Sequence, residues 1–225
     1  MAIEAVGFDL DYTLAVPARD RAALLDAAIA AVDGPSIDRE AYLEAHRSNQ
    51  AGRTETRAPI FADLLDRTDV DTDVDPETLA SRYREAINEA ITPVDGAESL
   101  IASLCDRYRV GLLTNGPVAA QRSKLTTLGW STLFDAVVIS GELEAGKPDG
   151  AAFRALCEAL ETTPDRLVYI GDEPIADIVG ATDAGIRAIQ IQYPDGPPIH
   201  PDAVATIDRD RLAADLPGLL DTLAG

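Results

Sequence analysis

Lysine is nearly absent from this sequence, which has 17 arginines but only 2 lysines among its 19 basic residues. Acids outnumber bases by 39 to 19, with 26 aspartates and 13 glutamates, so the formal net charge is −20. A chain with this charge repels nucleic acids and anionic membrane surfaces at ordinary salt. A spread acidic surface with so little lysine resembles the proteins of salt-loving microbes, in which molar salt screens self-repulsion. We therefore expect a halophilic composition and no nucleic-acid or membrane partner.

Cysteines and long apolar segments are also scarce. The two cysteines, Cys105 and Cys157, form no CxxC pair and lie within helical patterns, which predicts buried free thiols in a reducing compartment. No apolar run approaches the roughly 18–20 residues that a membrane span needs. The first residues contain neither a basic region nor a small-residue cleavage site. These absences predict a cytoplasmic protein without a signal peptide.

The hydrophobic pattern predicts an α/β fold with a parallel, Rossmann-like sheet covered by helices on both faces. A first strand ends at Asp9, and no convincing strand is predicted between residues 17 and 107. Later strands alternate with helices up to a final amphipathic helix. The predicted strands are 5–9, 110–114, 134–140, 166–170 and 187–191, and the predicted helices are 21–32, 38–50, 58–67, 76–91, 118–128, 150–160, 175–184 and 208–224.

This order of elements predicts two domains. Residues 1–15 and 93–225 would form the α/β core, and residues 16–92 would form an inserted all-helical cap. Open parallel sheets bind their ligands beyond the carboxyl ends of the strands. The insert leaves the core at that end, so we expect it to cover the site as a lid.

Polar residues are concentrated just after the predicted strands. In a doubly wound sheet, these segments converge on one crevice. Each motif alone is common by chance in a chain with 26 aspartates, but their order and their placement at strand ends together predict a site. The four segments are Asp9-Leu10-Asp11-Tyr12-Thr13, Thr114-Asn115-Gly116, Lys147-Pro148 and Asp172-Glu173-Pro174-Ile175-Ala176-Asp177.

The charges of these residues predict phosphoryl transfer. Crowded carboxylates have raised pKa values unless a cation neutralises them, and oxygen ligands in an open site favour Mg²⁺, with Asp9 and Asp172 as candidate ligands. A carboxylate beside the metal can attack a phosphoryl group and form an aspartyl phosphate. Asp11 could protonate the leaving oxygen and later activate water. The Thr114 hydroxyl and the Lys147 ammonium would hold the phosphoryl oxygens.

These motifs resemble those of the haloacid dehalogenase-like (HAD) hydrolase superfamily, in the subfamily I branch with a helical C1 cap, and the chain looks like a phosphoglycolate phosphatase. The resemblance covers nearly the whole chain, with all four motifs in the expected order. Dehalogenases of the superfamily lack the second aspartate, so Asp11 favours phosphate chemistry. The resemblance implies a Mg²⁺-dependent phosphatase that hydrolyses a small phosphorylated metabolite.

The resemblance also implies a role for each motif residue. The nucleophile would be Asp9 and the acid/base Asp11. Asp177 would be a metal-side or lysine-positioning carboxylate, with Thr13 as a further supporting residue. The implied phosphate ligands are Thr114, Asn115 and Lys147, and the implied Mg²⁺ ligands are Asp9, the backbone carbonyl of Asp11, and Asp172.

The sequence also suggests three other interpretations. The segment Gly141–Lys147 fits GxxxxGK, but Pro148 follows in place of the Ser or Thr of a nucleotide-binding P-loop, and two glutamates would face the phosphates. A sugar-phosphate mutase shares the Asp9 and Asp11 pair and stays open as an alternative. A non-catalytic relative that only binds a phosphorylated ligand also stays open.

Substrate choice is expected to lie in the cap, where an arginine could clamp a second anionic group. The polar candidates in residues 44–60 are His46, Asn49, Arg53 and Arg57.

The two lysines call for separate predictions. Lys147 was kept as lysine in an arginine-rich chain, which favours a compact ammonium at the phosphate. Lys124 is predicted to lie on a surface helix, where replacement by arginine should change nothing measurable.

Overall fold

The computed structural model describes residues 2–48, 54–68 and 72–224 as strands, helices and connecting loops. Its strands and helices alternate along most of the chain. The strands are β1 Ala5–Phe8, β2 Ala15–Pro17, β3 Ile91–Pro93, β4 Arg109–Thr114, β5 Ala136–Ile139, β6 Leu167–Gly171, β7 Arg187–Gln192 and β8 Ala205–Asp208. The helices are α1 Arg21–Ala30, α2 Arg39–Ser48, α3 Ala58–Asp66, α4 Pro76–Ala90, α5 Ala97–Cys105, α6 Val118–Leu128, α7 Gly150–Ala159, α8 Gly180–Asp183 and α9 Leu212–Ala224.

Six strands form one parallel sheet in the order β5-β4-β1-β6-β7-β8. Strand β1 lies between β4 and β6, with Phe8 opposite Leu112 on one side and Ile170 on the other. The strand order reverses at this point, which opens a crevice beyond the carboxyl ends of the strands. The predicted α/β class with a parallel, Rossmann-like sheet is confirmed.

Helices cover both faces of this sheet. Val6 and Phe8 of β1 point into an apolar cluster that contains residues of α5 and α9, whereas Ala5 joins a second cluster with α7 and α8. Two strand glycines allow α7 to pack closely on the second face. A Cβ at Gly7 or Gly111 would lie 2.8 Å from a methyl group of Leu156, which is closer than packed carbons approach.

Helices α1 to α4 form an apolar cluster of their own, which is separate from the two clusters of the sheet. The aromatic rings of Tyr42, Phe61 and Tyr83 contact one another in it, with centroids 5.4 to 5.9 Å apart. Local signals explain where two of these helices begin. Asp20 caps α1 by accepting from the backbone of Ala22, and a capping aspartate followed by proline at the first helical position starts α4.

Two short strands join this helical segment to the sheet domain. Strands β2 and β3 pair antiparallel, with Ala15 opposite Pro93, so the chain enters and leaves the segment at neighbouring points. The prediction of no strand between residues 17 and 107 is therefore wrong at Ile91–Pro93. Strand β8 was also not predicted, and it replaces the expected start of the last helix, which begins at Leu212. Strands β2 and β3 each contain a proline, and β8 alternates with Thr206 and Asp208, so these three strands lack the apolar run that predicts the equally short β1 and β5.

Two other sequence predictions are corrected by the structure. The helix predicted over 175–184 is a wide π-type turn over Pro174–Val179 followed by the short helix α8. Both cysteines are free, but only Cys157 is buried, whereas Cys105 is exposed at the end of α5. Within the described parts of the chain, no helix combines the length and the hydrophobicity needed to cross a membrane.

Candidate active site

The polar residues that follow the strands meet at one edge of the sheet. Asp9 follows β1, Thr114 ends β4 and Asp172 follows β6, and the Asp9 amide donates to the carbonyl of Ile170 at 2.8 Å, which extends the strand pairing. A cavity of about 420 Å³ opens above them. Cavities of a few hundred Å³ with a few converging polar groups are typical of small-molecule sites.

Lys147 is the cation at the centre of this site. Its Nζ donates to Asp9 Oδ1 at 2.6 Å, to Asp177 Oδ1 at 2.6 Å and to the Tyr169 hydroxyl at 3.0 Å. Its side chain is only 3% exposed. Burial opposes the charge, but the carboxylates of Asp177 and Asp9 outweigh that effect and raise the pKa of Lys147 well above its usual value. Lys147 is therefore a fixed positive charge between two aspartates.

Three buried carboxylates form a candidate metal centre. Asp9, Asp172 and Asp177 each offer an oxygen, and these oxygens all lie within 4.8 Å of one another. Burial raises the pKa of Asp9 to about 7 and that of Asp172 to about 8, and the neighbouring carboxylates add to both shifts. Oxygen donors that are buried and mutually repelling fit a hard divalent cation such as Mg²⁺.

Asp177 is positioned from two sides. Besides the bond to Lys147, its Oδ2 accepts from the backbone amide of Glu173 at 2.9 Å. A Cβ at Gly171 would clash with the Asp177 carboxylate, so glycine at the end of β6 makes room for it. This placement fits the lysine-positioning role that the resemblance implied for Asp177.

Asp172 has two hydroxyl partners, one of which sequence analysis missed. The predicted supporting residue Thr13 is fully buried and donates to Asp172 Oδ1 at 3.4 Å. Tyr193, just after β7, donates its hydroxyl to Asp172 Oδ2 at 2.9 Å. Its ring stacks on Tyr12, with centroids 5.8 Å apart. No pattern in the sequence singles out Tyr193, but its position just after a strand places it at the same edge as the other site residues.

Asp11 has a different environment from Asp9. Its Oδ1 accepts from Arg21 at 2.7 Å, and its Oδ2 accepts from Lys124 at 2.5 Å and from Gln121 at 3.3 Å. Burial would raise the pKa of Asp11, but the charges of Lys124 and Arg21 outweigh it and hold that pKa well below the usual range. The prediction that Lys124 lies on a protein surface is wrong, because its side chain is only 2% exposed.

Thr114 and Asn115 lie at the end of β4, and both line the cavity. Thr114 is buried, with 1% of its surface exposed. The side chain of Asn115 bonds to the backbone of Lys147 in both directions: it donates to the carbonyl at 2.8 Å and accepts from the amide at 2.9 Å. Asn115 thus ties the loop that carries Lys147 to the end of β4.

The helical segment contributes different residues from the predicted arginines. Arg57 is buried in the segment's own core, where its Nε donates to the Tyr42 hydroxyl at 3.0 Å. Arg53 and Asn49 lie outside the described residues. Leu43 and His46 of α2 line the cavity. Burial lowers the pKa of His46 to about 4, with the charge of Arg57 adding to the shift, so the ring is neutral at neutral pH.

Comparison with known proteins agrees with this geometry. The sequence model of the haloacid dehalogenase-like hydrolase family matches residues 6–191, which is most of the chain. The chain belongs to the haloacid dehalogenase-like hydrolases. The strand ends that hold Asp9, Thr114 and Asp172 all lie within the matched range.

Several relatives of this HAD-like hydrolase have phosphatase names. A phosphoserine phosphatase of Thermus thermophilus is 34% identical over 65% of this chain, and the match spans 59% of that protein's own length. An N-acetylmuramic acid 6-phosphate phosphatase of Pseudomonas aeruginosa is 28% identical over 96% of this chain and 95% of its own length.

Solved structures share the fold of this HAD-like hydrolase. The HAD-hydrolase YfnB of Bacillus subtilis, bound to magnesium, superposes with a TM-score of 0.71 at 22% identity and covers 98% of this chain and 100% of its own. At this identity the likeness concerns the fold alone.

Proposed function

We propose that this HAD-like hydrolase is a Mg²⁺-dependent phosphatase that hydrolyses a small phosphomonoester through an aspartyl phosphate on Asp9. The observation that carries the proposal is the environment of Asp9. Its carboxylate lies on the floor of the cavity, bonds to Lys147 at 2.6 Å and belongs to the three-carboxylate cluster. The phosphatase relatives support the same reaction class.

The reaction would proceed in two steps. In the first, an Asp9 oxygen bonds to phosphorus and the bond from phosphorus to the substrate alcohol breaks. The departing oxygen receives a proton through Asp11, which is ionised in the free site and would first take that proton up from solvent. In the second, Asp11 takes a proton from water, the water oxygen bonds to phosphorus, and inorganic phosphate leaves with Asp9 restored. Lys147 and the Thr114 hydroxyl hold the phosphoryl oxygens during both steps.

Asp9 and Asp172, with the backbone carbonyl of Asp11, would hold the Mg²⁺ ion. When bound, the ion would neutralise negative charge on the carboxylates and on the phosphoryl oxygens. Asp177 lies close enough to contribute an oxygen, but its bond to Lys147 makes positioning of that lysine its main role. The magnesium in the YfnB structure supports the choice of ion.

The helical segment, residues 16–92, would act as a cap that selects the substrate, and residues 1–15 and 93–225 would supply the chemistry. The separate apolar cluster of α1 to α4 supports this division. So do Leu43 and His46, which reach the cavity from the segment. With an apolar side chain and a neutral ring on that side, the described part of the cap suits a small, weakly charged leaving group. We propose a cytoplasmic metabolite as the substrate.

Phosphate release tests the proposal. Purified protein is incubated with a panel of small phosphomonoesters and Mg²⁺, at low and at multimolar KCl, and inorganic phosphate is measured. We expect release from at least one ester, loss of release on chelation and recovery when Mg²⁺ is returned. Full activity in the presence of a chelator would overturn the metal assignment. Isomerisation of a sugar phosphate without net phosphate release would show a mutase instead.

A further inference from the structure

Both lysines of the chain are buried, and each ends on a different aspartate of the Asp9-Leu10-Asp11 motif. Lys147 bonds to Asp9, and Lys124 bonds to Asp11 at 2.5 Å. We propose that Lys124 is a positioning residue that holds the Asp11 carboxylate where it meets the leaving group of the substrate. This proposal rests on the function proposed above, in which Asp11 is the acid/base.

The donors to Asp11 Oδ2 come from one rigid element of the core. Gln121 and Lys124 are three residues apart on α6, so their side chains lie on the same face of the helix. Gln121 Nε2 also donates to the backbone carbonyl of Asn115 at 2.5 Å, which ties this face to the end of β4. Leu125, the next residue on α6, packs into the apolar cluster of the sheet. The ammonium of Lys124 is therefore fixed relative to the strands that carry the other site residues.

Arg21 holds the other oxygen of Asp11 from the helical segment. It lies at the start of α1, and its Nη2 donates to Asp11 Oδ1 at 2.7 Å. The Asp11 carboxylate is thus bonded by one cation of the sheet domain and one cation of the segment. Of these two cations, Lys124 is the one whose bond to Asp11 does not depend on where the segment lies.

The choice of lysine is a second, independent observation. The chain uses arginine at 17 of its 19 basic positions, and both exceptions are in contact with these two aspartates. A compact ammonium can place one strong donor on a single carboxylate oxygen in a closed space. A guanidinium is larger and presents its donors in a planar fork. Lys124 is 1% exposed, so the site has little room for the larger group.

The test compares a poor with a good leaving group. Lys124→Met keeps an unbranched side chain, about one atom shorter, but removes the charge, and Lys124→Arg keeps the charge but changes its shape. Arg122→Ala serves as the control, because Arg122 lies on the same helix but is 59% exposed. Each variant is assayed with an alkyl phosphate, which needs a proton donor, and with p-nitrophenyl phosphate, whose leaving group does not. Rapid quenching measures the formation and the decay of the phosphoenzyme.

A positioning role predicts selective losses. Because acid–base catalysis contributes about 10²–10⁴-fold, we expect Lys124→Met to slow alkyl phosphate hydrolysis by ~10²-fold. Formation of the phosphoenzyme from p-nitrophenyl phosphate should fall by less than ~10-fold, and its decay should slow enough for it to accumulate. Lys124→Arg should show the same pattern at smaller amplitude. If the methionine variant does not fold, the arginine variant is used to test the proposal.

A double variant shows whether Lys124 acts through Asp11. If it does, Lys124→Met combined with Asp11→Asn should be no slower than Asp11→Asn alone, since the residue it positions is already disabled. Losses that multiply, or equal slowing of both substrates and both steps, would overturn the positioning role. Unchanged kinetics in both single variants would overturn it as well.

The outcomes separate this inference from the proposed function. If neither the unaltered protein nor Arg122→Ala releases phosphate from any ester, the phosphatase function fails and the inference fails with it. If both hydrolyse the alkyl phosphate and the Lys124 variants match them, the inference alone fails.

Discussion

Asp9 and Asp11 are separated by a single buried residue, yet their surroundings are opposite. Asp9 shares one cation, Lys147, with Asp177, and it lies beside Asp172. Asp11 forms ion pairs with two cations, Arg21 and Lys124. Burial and neighbouring acids raise the pKa of Asp9 to about 7, whereas that of Asp11 is held well below the usual range. The charges around a side chain, rather than its type, set its charge state: near neutral pH Asp11 is ionised, whereas Asp9 needs a neighbouring cation to stay ionised.

The surroundings of Asp9 and Asp11 also differ in how completely their negative charge is compensated. Around Asp9, three carboxylates form a cluster, and Lys147 pairs with only two of them, Asp9 and Asp177. Fully ionised groups would therefore leave an excess of negative charge in a buried space. Around Asp11, two cations face one carboxylate. Buried charges are stable only when they are compensated. The surroundings of Asp9 therefore have a place for an added cation, whereas the charge of Asp11 is already compensated.

Replacement of Asp9, the proposed nucleophile, should have the largest effect. Asp9→Asn should lower kcat by at least ~10⁴-fold, because the proposed reaction forms its phosphoenzyme on the Asp9 carboxylate. The measurement is steady-state phosphate release, with phosphoenzyme trapping as a second readout. Asp63→Asn, an exposed aspartate of α3, is the matched control and should keep full activity. Near-normal turnover by the Asp9 variant would rule Asp9 out as the nucleophile.

A change in the shape of the cation beside Asp9 should have the next largest effect. Lys147→Arg should lose at least ~10²-fold in kcat/KM, about 2.7 kcal/mol of transition-state stabilisation, because a planar guanidinium does not fit between three oxygen partners. Arg211→Lys, at a surface position, is the control and should behave like the unaltered protein. If both variants keep full activity, position 147 needs only positive charge.

The contributions of Asp172 and Asp11 to stability should change in opposite directions with pH. The pKa of Asp172 is raised from 3.8 to about 8, so without a divalent cation its contribution to stability is full below about pH 4 and is lost as the pH rises towards 8. Asp11, whose pKa is lowered, contributes stability at neutral pH that is lost in acid. Mg²⁺ should therefore raise Tm more at about pH 8 than at about pH 5.

Thermal unfolding of the unaltered protein and of Asp172→Asn measures this effect. The variant should be more stable than the unaltered protein in a chelator at high pH, and it should respond less to Mg²⁺. An equal shift of Tm by Mg²⁺ at both pH values would contradict the assignment of Asp172 as a ligand.

Salt should produce the smallest effect. With a net charge of −20, the folded protein repels itself at low ionic strength, and at about 1 M salt the screening length falls to about 3 Å. We expect KCl to raise Tm by several degrees without changing the ratio of the rates on the two leaving groups. Sucrose at matched osmolality is the control, since it does not screen charge. A Tm that falls steadily with KCl would contradict the halophilic interpretation.

The strand ends were predictable from the sequence because each combines an apolar run with an abrupt change to polar residues. That signal predicts Asp9, Thr114 and Asp172 at one edge of the sheet, where the structure has them. The short strands β2, β3 and β8 have no such signal, because proline or polar residues interrupt their apolar residues.

The cations around Asp11 could not be predicted from strand ends, because Lys124 and Arg21 lie on helices. Their distance from Asp11 depends on how α6 and α1 pack on the core, which tertiary contacts determine. One signal was available. An arginine-rich chain that keeps lysine only where lysine is needed has the same reason to keep Lys124 as to keep Lys147.

The pairing of β2 with β3 has a consequence for how this protein can be altered. Since Ala15 and Pro93 lie side by side, the helical segment begins and ends at one place, and its length has no influence on the register of the parallel sheet. Such an arrangement makes the segment a replaceable module. Replacement of the residues between Pro17 and Ile91 by the corresponding segment of a relative would place different side chains over the cavity and leave the sheet unchanged. The new segment would need an arginine that reaches the Asp11 carboxylate.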